Sequence, residues 1–363
     1  MTTVHQVIPV LAPHDAVGAH TLRVQAALQA ARIESRVFAE VIIGDPSGEV
    51  LTLDSFEGTG DGADLLLYQA STGSSGAEWL LRRAEAYAVN YHNVTPAAFF
   101  DPWDSDAAYT MRRARNQLRA LAPRCVGGLA DSAYNATELD EAGYEPVEVT
   151  PLLLDLGGEP PQGDERTAAF LQRTRRGAHW LFVGRLAPNK CQHDLLAAFA
   201  AHRVLHDPDA RLTLVGSAAS AMYEAALFAL AEQLGLTDAV TMVASLRDEE
   251  LAAYYRDADL FVCLSEHEGF CIPVIEAFRF GTPVLALAAA AVPDTAGDAA
   301  VLLPSKDPHL VATAADCLLR DAALRTELAA AGRARVLEFA LDRTAPVFVD
   351  AVRRAAARAS AGG

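Results

Sequence analysis

Short apolar runs alternate with longer amphipathic stretches along the whole chain. The clearest run is ADLLLYQAS at 63–71, whose length and continuous apolar character are typical of a strand buried on both faces. Amphipathic stretches at 18–31, 78–86, 107–121 and 248–257 are predicted to be helices that cover a core. This alternation of strands and helices predicts an α/β fold with parallel sheets.

The alternation begins again in the second half, with a strand predicted at 179–185. Between the halves, GGEPPQGDE at 157–165 contains glycine, proline and acids without an apolar residue, as linkers do. The 363 residues also exceed one ordinary core. We therefore predict two doubly wound Rossmann-like domains at 1–156 and 166–340, with a cleft between them and a final helix in 341–363.

Composition and charge exclude several classes of protein. The net charge of −17 disfavours nucleic acid as a partner and limits membrane contact to a peripheral one. No run approaches 18 apolar residues, and the N-terminus does not read as a signal peptide. The five cysteines have neither zinc spacing nor an even count. These features predict a cytoplasmic protein without a structural metal.

One loop carries the strongest chemical signal, Ser-Glu-His-Glu-Gly-Phe-Cys-Ile-Pro-Val-Ile-Glu-Ala at 265–277. It follows a predicted strand, and ligands of open parallel sheets bind where strands end. Gly269 allows a close approach of the backbone to a ligand. Pro273 suits the first turn of a helix, so we predict that N–H groups around 270–272 form an anion site.

The same loop contains two carboxylates in the pattern E-x7-E. We expect Glu268 to lie before the helix and Glu276 in its first turn, where each can accept hydrogen bonds from a polyol. The alternative is that Glu276 only favours the helix dipole and Glu268 is solvated.

A second loop, GRLAPNK at 184–190, also follows a predicted strand. It contains Arg185 and Lys190, and the chain has one other lysine, Lys306. Without a metal, a leaving diphosphate needs cationic donors, and an arginine fork with a lysine supplies them. A solvated surface loop is the alternative.

Together the two loops resemble those of retaining GT-B glycosyltransferases of family 4. FVGRLAPNK, LVGS, the segment from SLRDEEL to GTPVLA, and VPDTAGDAAVLL occur in the family's order and spacing. The resemblance covers nearly the whole second half, whereas the first half is more divergent. It implies a metal-independent hexosyltransferase that uses a UDP- or GDP-sugar as co-substrate and needs no other cofactor.

The resemblance also implies roles for the domains. The second would bind the nucleotide sugar, and the first would bind the acceptor, which is a carbohydrate, a lipid-linked molecule or a small molecule. The final helix would cross back onto the first domain. The YHNVTP stretch at 91–96 leans weakly toward enzymes of bacterial polysaccharide or natural-product synthesis.

Residue roles follow from the same resemblance. Arg185 and Lys190 would grip the donor diphosphate, Glu268 would contact the transferred sugar, and Glu276 would bind the ribose. In the first half, Gly18 matches a phosphate-side loop and His92 a position near the donor sugar. The predicted catalytic residues are Glu268, His92, Arg185 and Lys190, and the predicted donor-binding residues are Gly18, Gly184, Arg185, Lys190, Gly269, Phe270, Cys271 and Glu276.

Three other functions compete with this prediction. A nicotinamide dehydrogenase needs G-x-G-x-x-G, which the glycine run at 58–62 does not provide. A phosphorylase needs a pyridoxal lysine, and a GT-B epimerase is the related alternative. The third is a catalytically inactive GT-B protein that binds a sugar nucleotide and regulates or scaffolds. A metal site is not predicted, because the D-x-D triplets at 104–106, 207–209 and 257–259 lack supporting ligands or lie away from the cleft.

Overall fold

The computed structural model describes residues 3–13, 15–45, 48–58 and 65–362. These residues form two compact units. Unit 1 contains the described residues up to Asp101, Ser105–Asp155 and those from Phe339 onward, and unit 2 contains Pro102–Asp104 and Leu156–Glu338. Most of the glycine run at 58–62, and the first two residues of the strand predicted at 63–71, lie outside the described residues.

Unit 1 is built on a parallel sheet of seven described strands in the order β3-β2-β1-β4-β5-β6-β7. In register, Val7 lies opposite Phe38 on one side and Tyr68 on the other. The strands are β1 (Val4–Leu11), β2 (Val37–Ile42), β3 (Leu51–Thr52), β4 (Leu65–Ala70), β5 (Ala86–Tyr91), β6 (Cys125–Ala130) and β7 (Val147–Val149).

Strand β4 explains why the run at 63–71 is apolar without interruption. Leu65 and Leu67 belong to one core cluster, whereas Leu66 and Tyr68 belong to another. Successive side chains of a strand point to opposite faces, so both faces of this sheet are covered.

Unit 2 contains a parallel sheet of six described strands in the order β10-β9-β8-β11-β12-β13. Its core includes a large cluster with Trp180, Phe182 and Phe199, and Phe261 and Phe278 are buried outside that cluster. The strands are β8 (His179–Val183), β9 (Arg211–Val215), β10 (Val240–Val243), β11 (Leu260–Cys263), β12 (Val284–Leu287) and β13 (Val301–Leu303).

Helices connect the strands in both units. Those of unit 1 are α1 (Ala16–Ala30), α2 (Ser75–Leu81), α3 (Ser105–Leu121), α4 (Ala133–Glu141) and α13 (Leu341–Gly362). Those of unit 2 are α5 (Glu165–Thr174), α6 (Gln192–Leu205), α7 (Ala221–Gln233), α8 (Asp248–Asp257), α9 (Ile272–Phe280), α10 (Val292–Ala296), α11 (Pro308–Arg320) and α12 (Ala322–Glu338). No described helix has the length and apolar content that a membrane crossing requires.

The helix expected at 78–86 is shorter and lies earlier. It begins after Ser74, whose side chain accepts a hydrogen bond from the N–H of Ala77, and it ends at Leu81. Ala86, expected to be helical, instead begins β5 and pairs with Leu65. Pairing with a buried neighbouring strand outweighs a weak local helical preference.

Helix α13 comes last in the sequence but packs within unit 1. Phe348, Val352 and Ala355 are buried in the cluster that also contains Val4 and Leu65. At the far end of the helix, Arg358 donates from Nε to the carbonyl of Val126 at 2.7 Å. Unit 1 is therefore assembled from both ends of the sequence.

Candidate functional site

The strand order of unit 2 reverses between β8 and β11. From β8 the chain moves outward to β9 and β10, and it returns to the other side of β8 with β11. In open α/β sheets such a reversal leaves a crevice at the carboxyl ends of the two strands, where ligands bind. The loops that follow β8 and β11 are the two that the sequence analysis selected.

Asn189 joins these two loops. Its side chain is buried and donates from Nδ2 to the carbonyl of His267 at 3.0 Å. Its own carbonyl accepts from the N–H of Glu266, also at 3.0 Å. This two-way connection fixes the loop after β11 against the loop after β8.

Lys190 and Glu268 form an ion pair across the same boundary. Nζ of Lys190 donates to Oε2 of Glu268, which is 8% exposed. Burial is the largest single influence on the pKa of Lys190 and lowers it, but the Glu268 carboxylate acts together with Cys271 and Cys263 to raise it, and the net shift is upward. Lysine has three N–H donors, so two remain for a ligand when one serves Glu268.

Two glycines let the strand ends come together. A Cβ atom added to Gly216, at the end of β9, would lie 2.0 Å from the carbonyl oxygen of Gly184. The backbone angle φ is +149° at Gly216 and +148° at Gly184, values that residues with a side chain rarely adopt. Gly184 is therefore required by backbone geometry.

Arg185 differs from Lys190 in its surroundings. Its side chain is exposed, and within the described part of the chain its guanidinium has no hydrogen bond or ion pair. Its carbonyl is fixed, because Gln192 donates to it from Nε2 at 2.9 Å. The backbone of Arg185 is thus fixed, while its guanidinium group is available to bind an anion.

The loop after β11 ends in a left-handed residue. Gly269 and Phe270 lie in this loop, and Cys271, the residue just before α9, has φ +73°. The carbonyl of Phe270 accepts from the hydroxyl of Thr295. A non-glycine residue in this conformation costs about 1–3 kcal/mol and persists only where its surroundings impose it. The N-terminus of α9, with its partial positive charge, is therefore held in place by these contacts.

Glu276 lies in the second turn of α9, not in the first as expected, because the helix begins at Ile272. Its carboxylate accepts a hydrogen bond from the hydroxyl of Tyr255 at 2.8 Å. Burial raises the pKa of Glu276, and the Tyr255 hydrogen bond acts in the opposite direction. The tyrosine is itself fixed by stacking on Phe280, with ring centroids 5.2 Å apart.

Lys306, the second lysine of the chain, lies beside these loops. Its Nζ contacts Asp194 and Glu266, each at 2.5 Å, and the Sγ atom of Cys191 at 3.4 Å. It links α6 to the loop after β11, two residues from Glu268.

Gly18 belongs to unit 1 and lies in the first turn of α1. Its N–H donates to Oδ2 of Asp15 at 2.8 Å, which caps the helix. A Cβ atom at Gly18 would approach Cδ1 of Leu11 to 3.1 Å, so little room is left beside β1. The glycine expected near a phosphate here contributes its N–H group to the helix cap.

His92 also belongs to unit 1, and its side chain is only 2% exposed. Nδ1 lies 2.8 Å from Oδ2 of Asp131, and Nε2 lies 2.6 Å from Oε1 of Gln69. The Gln69 amide orientation is set by Gln6, which accepts from Nε2 of Gln69 at 2.7 Å and donates to the Thr21 carbonyl. Direct contact of the His92 ring with a ligand would require one of the ring's hydrogen-bond partners to be exchanged.

The structure therefore brings the predicted residues together in two groups. Unit 2 gathers Lys190 and Glu268 in direct contact, with Gly184, Arg185, Gly269, Phe270, Cys271 and Glu276 on the same two loops and α9. Gly18 and His92 lie in unit 1. Sequence reasoning missed Asn189, Tyr255 and Lys306. Of these three, only Lys306 had a signal in the sequence, because lysine is rare in this chain, but that signal did not indicate its role.

Comparison with known proteins agrees with this geometry. Residues 171–335 match the family described as "Glycosyl transferases group 1". Over 247 residues the chain is 32% identical to a protein of Frankia alni named "D-inositol 3-phosphate glycosyltransferase", covering 66% of this chain and 60% of that protein. The chain thus spans less than two thirds of this curated relative.

Solved structures match over almost the whole chain. Sucrose-phosphate synthase from Thermosynechococcus elongatus superposes with a TM-score of 0.76 at 21% identity, covering 97% of this chain and 98% of that one. Anabaena HepE in complex with UDP and glucose gives 0.74 at 17% identity, with 96% and 99% covered. The predicted fold class is confirmed: α/β, with two doubly wound Rossmann-like units of the GT-B type.

Proposed function

We propose that this chain is a retaining glycosyltransferase that moves a hexose from a UDP- or GDP-sugar to an acceptor. The observation that carries the proposal is the ion pair between Lys190 and the buried Glu268, at the point where the strand order of unit 2 reverses. The similarity of residues 171–335 to the group 1 glycosyltransferases supports it.

The cations stabilise the leaving group in this proposal. Lys190 and Arg185 hold the diphosphate, and the N-terminus of α9 adds a partial positive charge. Arg185 supplies a planar fork that suits phosphate oxygens, and Lys190 supplies a point charge. Charge that develops on the departing phosphate is then neutralised by the protein's own side chains, so the hypothesis needs no metal.

The carboxylates position the donor. Glu268 contacts the transferred sugar, and Glu276 accepts hydrogen bonds from the ribose hydroxyls. Backbone groups at Gly269, Phe270 and Cys271 hold the sugar beside Glu268. Binding distant from the bond that breaks then contributes orientation at that bond.

The reaction we propose is attack by the acceptor hydroxyl on the face from which the diphosphate leaves. The leaving phosphate accepts the proton of the acceptor, the bond from the sugar carbon to the phosphate oxygen breaks, and the new glycosidic bond keeps the configuration. His92 and Gly18 act from unit 1, where His92 exchanges its Gln69 partner for the donor sugar.

The donor is identified by thermal unfolding of the protein with UDP-, GDP-, dTDP- and ADP-sugars. A ligand at 100 times its Kd stabilises the native state by about 2.7 kcal/mol, which raises the midpoint of unfolding. We expect one nucleotide class to give the shift, and Glu276→Ala to abolish it. Absence of a shift with every donor would contradict the proposal.

Turnover is tested next, with D-inositol 3-phosphate as the first acceptor because a curated relative carries that name. Anomeric coupling in the NMR spectrum of the product distinguishes retention from inversion. Donor binding without transfer to any acceptor or to water would favour the catalytically inactive, sugar-nucleotide-binding alternative.

A further inference from the structure

Three metal-ligating side chains meet beside the Lys190–Glu268 pair. Cys263 is the last residue of β11, Cys271 precedes α9, and Glu268 lies in the loop between them. One ligand atom from each lies within 4.8 Å of the other two, and all three residues are buried. Within the described part of the chain, no other group of this kind occurs.

The distance between the sulfur atoms is compatible with a shared metal ion and too long for a disulfide. Sγ of Cys263 lies 3.8 Å from Sγ of Cys271. Two thiolates at about 2.3 Å from one tetrahedral ion are about 3.8 Å apart, whereas a disulfide requires about 2.05 Å. The thiols therefore have the separation of ligands to a shared ion, and a disulfide would require one of the two elements to move.

We propose that Cys263, Cys271 and Glu268 form a binding site for a thiophilic divalent cation such as Zn²⁺, and that the bound cation inhibits the enzyme. Three protein ligands leave a fourth position open, as in many zinc sites that bind water or a small ligand. The ion is an inhibitor, not a cofactor. The binding site stands on its geometry alone, whereas the inhibition rests on the proposed function.

The charges of such a site balance. Binding releases the protons of both thiols, so two thiolates and one carboxylate surround a dication with a net charge of −1. Lys190, already in contact with Glu268, supplies the compensating positive charge. A buried ionic group is tolerated when it is paired in this way.

The ligands are also held in place before an ion arrives. Cys263 ends a fully buried strand, and its thiol donates to the hydroxyl of Ser265 at 3.3 Å. Cys271 is fixed in the left-handed conformation described above. Occupation of Glu268 by the cation withdraws its carboxylate from the donor sugar, which is why the cation and the nucleotide sugar compete.

Co²⁺ serves as the spectroscopic probe, because thiolate ligands give it intense charge-transfer absorption. The parent protein for the titration carries Cys317→Ser, which removes the exposed thiol. We expect absorption that saturates at one Co²⁺ per chain and is displaced by Zn²⁺. Cys263→Ser and Cys271→Ser should each abolish it, whereas Cys125→Ser should leave it unchanged. Absorption that persists in both of the first two variants would overturn the site.

A second measurement needs no substitution at the site. At a urea concentration where both buried thiols of the ion-free protein react, Zn²⁺ should protect Cys263 and Cys271 of the wild-type protein from alkylation, as read by mass spectrometry, and a chelator should restore their reactivity. Equal labelling with and without Zn²⁺ would overturn the proposal, as would protection that only a reductant reverses, since this indicates oxidation.

Inhibition is measured as the apparent KM for the nucleotide sugar at increasing Zn²⁺. We expect KM to rise with Zn²⁺ and the effect to disappear in Cys263→Ser. Cobalt absorption without any donor binding would retain the site and contradict the proposed function. Turnover without cobalt absorption would contradict the site and leave the proposed function intact.

Discussion

Lys190 and Glu268 are 78 residues apart in sequence, yet the ammonium of one donates directly to the carboxylate of the other. The two residues lie in different loops, and these loops follow the neighbouring strands β8 and β11. The pair therefore links the folding of unit 2 to the chemistry proposed for it.

The ion pair predicts that removal of Lys190 and removal of Arg185 have different effects on the stability of the protein. Lys190→Ala leaves a buried carboxylate without its partner, which should lower the free energy of unfolding by about 1–3 kcal/mol. Arg185→Ala removes an exposed side chain and should change it by no more than about 0.5 kcal/mol. Both substitutions should weaken donor binding by about 10- to 100-fold, since each loses a charged contact to phosphate.

Urea unfolding measures the change in stability, and calorimetric titration with the donor measures the change in affinity. Unchanged donor affinity in Arg185→Ala would remove this residue from the site.

Glu276 predicts a pH dependence of donor binding. Because burial raises its pKa, the carboxyl takes up a proton at a higher pH than an ordinary glutamate as the solution is acidified. The protonated form accepts ribose hydroxyls poorly, so affinity should fall with decreasing pH. The sign for stability is opposite: the contribution of Glu276 is fully present in acid and is lost as pH rises through its pKa.

Tyr255 provides the matched variant for this effect. Tyr255→Phe removes the hydrogen bond that favours the carboxylate, so the loss of affinity should begin at a higher pH. Glu276→Gln should remove the pH dependence and weaken binding about tenfold. The measurement is donor affinity as a function of pH by calorimetry. An identical pH profile in Tyr255→Phe and wild type would show that the hydrogen bond does not control Glu276.

Lys306 is expected to position the loop after β11 without touching the donor. Lys306→Met removes its contacts with Asp194 and Glu266, which should lower stability by about 1 kcal/mol because the group is partly exposed. It should also weaken nucleotide binding several-fold, whereas Lys306→Arg keeps both ion pairs and restores affinity. Titrations of all three proteins with one nucleotide test this. Wild-type affinity in Lys306→Met would assign the lysine to stability alone.

Two adjacent residues of helix α13 should contribute very differently to stability. Phe348 is 0% exposed and Val347 is 46% exposed. Phe348→Ala should destabilise unit 1 by about 3–5 kcal/mol through a cavity, whereas Val347→Ala should change stability by no more than about 0.5 kcal/mol. Guanidinium unfolding, followed with a probe in each unit, measures the loss. Equal stability of both variants would mean that α13 does not complete the core of unit 1.

The periodicity of the sequence predicted most of the fold because the strands are apolar and their connections are helical. The run at 63–71 gave β4, and the stretch at 248–257 coincides with α8. Helix α2 was placed too far along the chain because residues 78–86 lack a clear end signal, and only pairing with β4 assigns Ala86 to a strand.

Part of the candidate site could be predicted from the sequence, for a physical reason. Loops that follow central strands meet at the sheet edge, so Lys190 and Glu268 could be expected near each other. The roles of Asn189 and Tyr255 could not be predicted, because they act through hydrogen bonds to the partners that the fold brings to them. The spacing of Cys263 and Cys271 matched no metal motif, since their proximity comes from a strand end and a helix start.

The placement of α13 has a consequence for synthesis on the ribosome. All residues of unit 2 between Leu156 and Glu338 are made before the helix that completes the core of unit 1. Domains usually fold in the order in which they are translated. Here the first sheet to emerge must wait, with its Val4 and Leu65 face covered only in part by α1, until Phe348 and Val352 leave the exit tunnel. The unit encoded first is thus the last to finish folding.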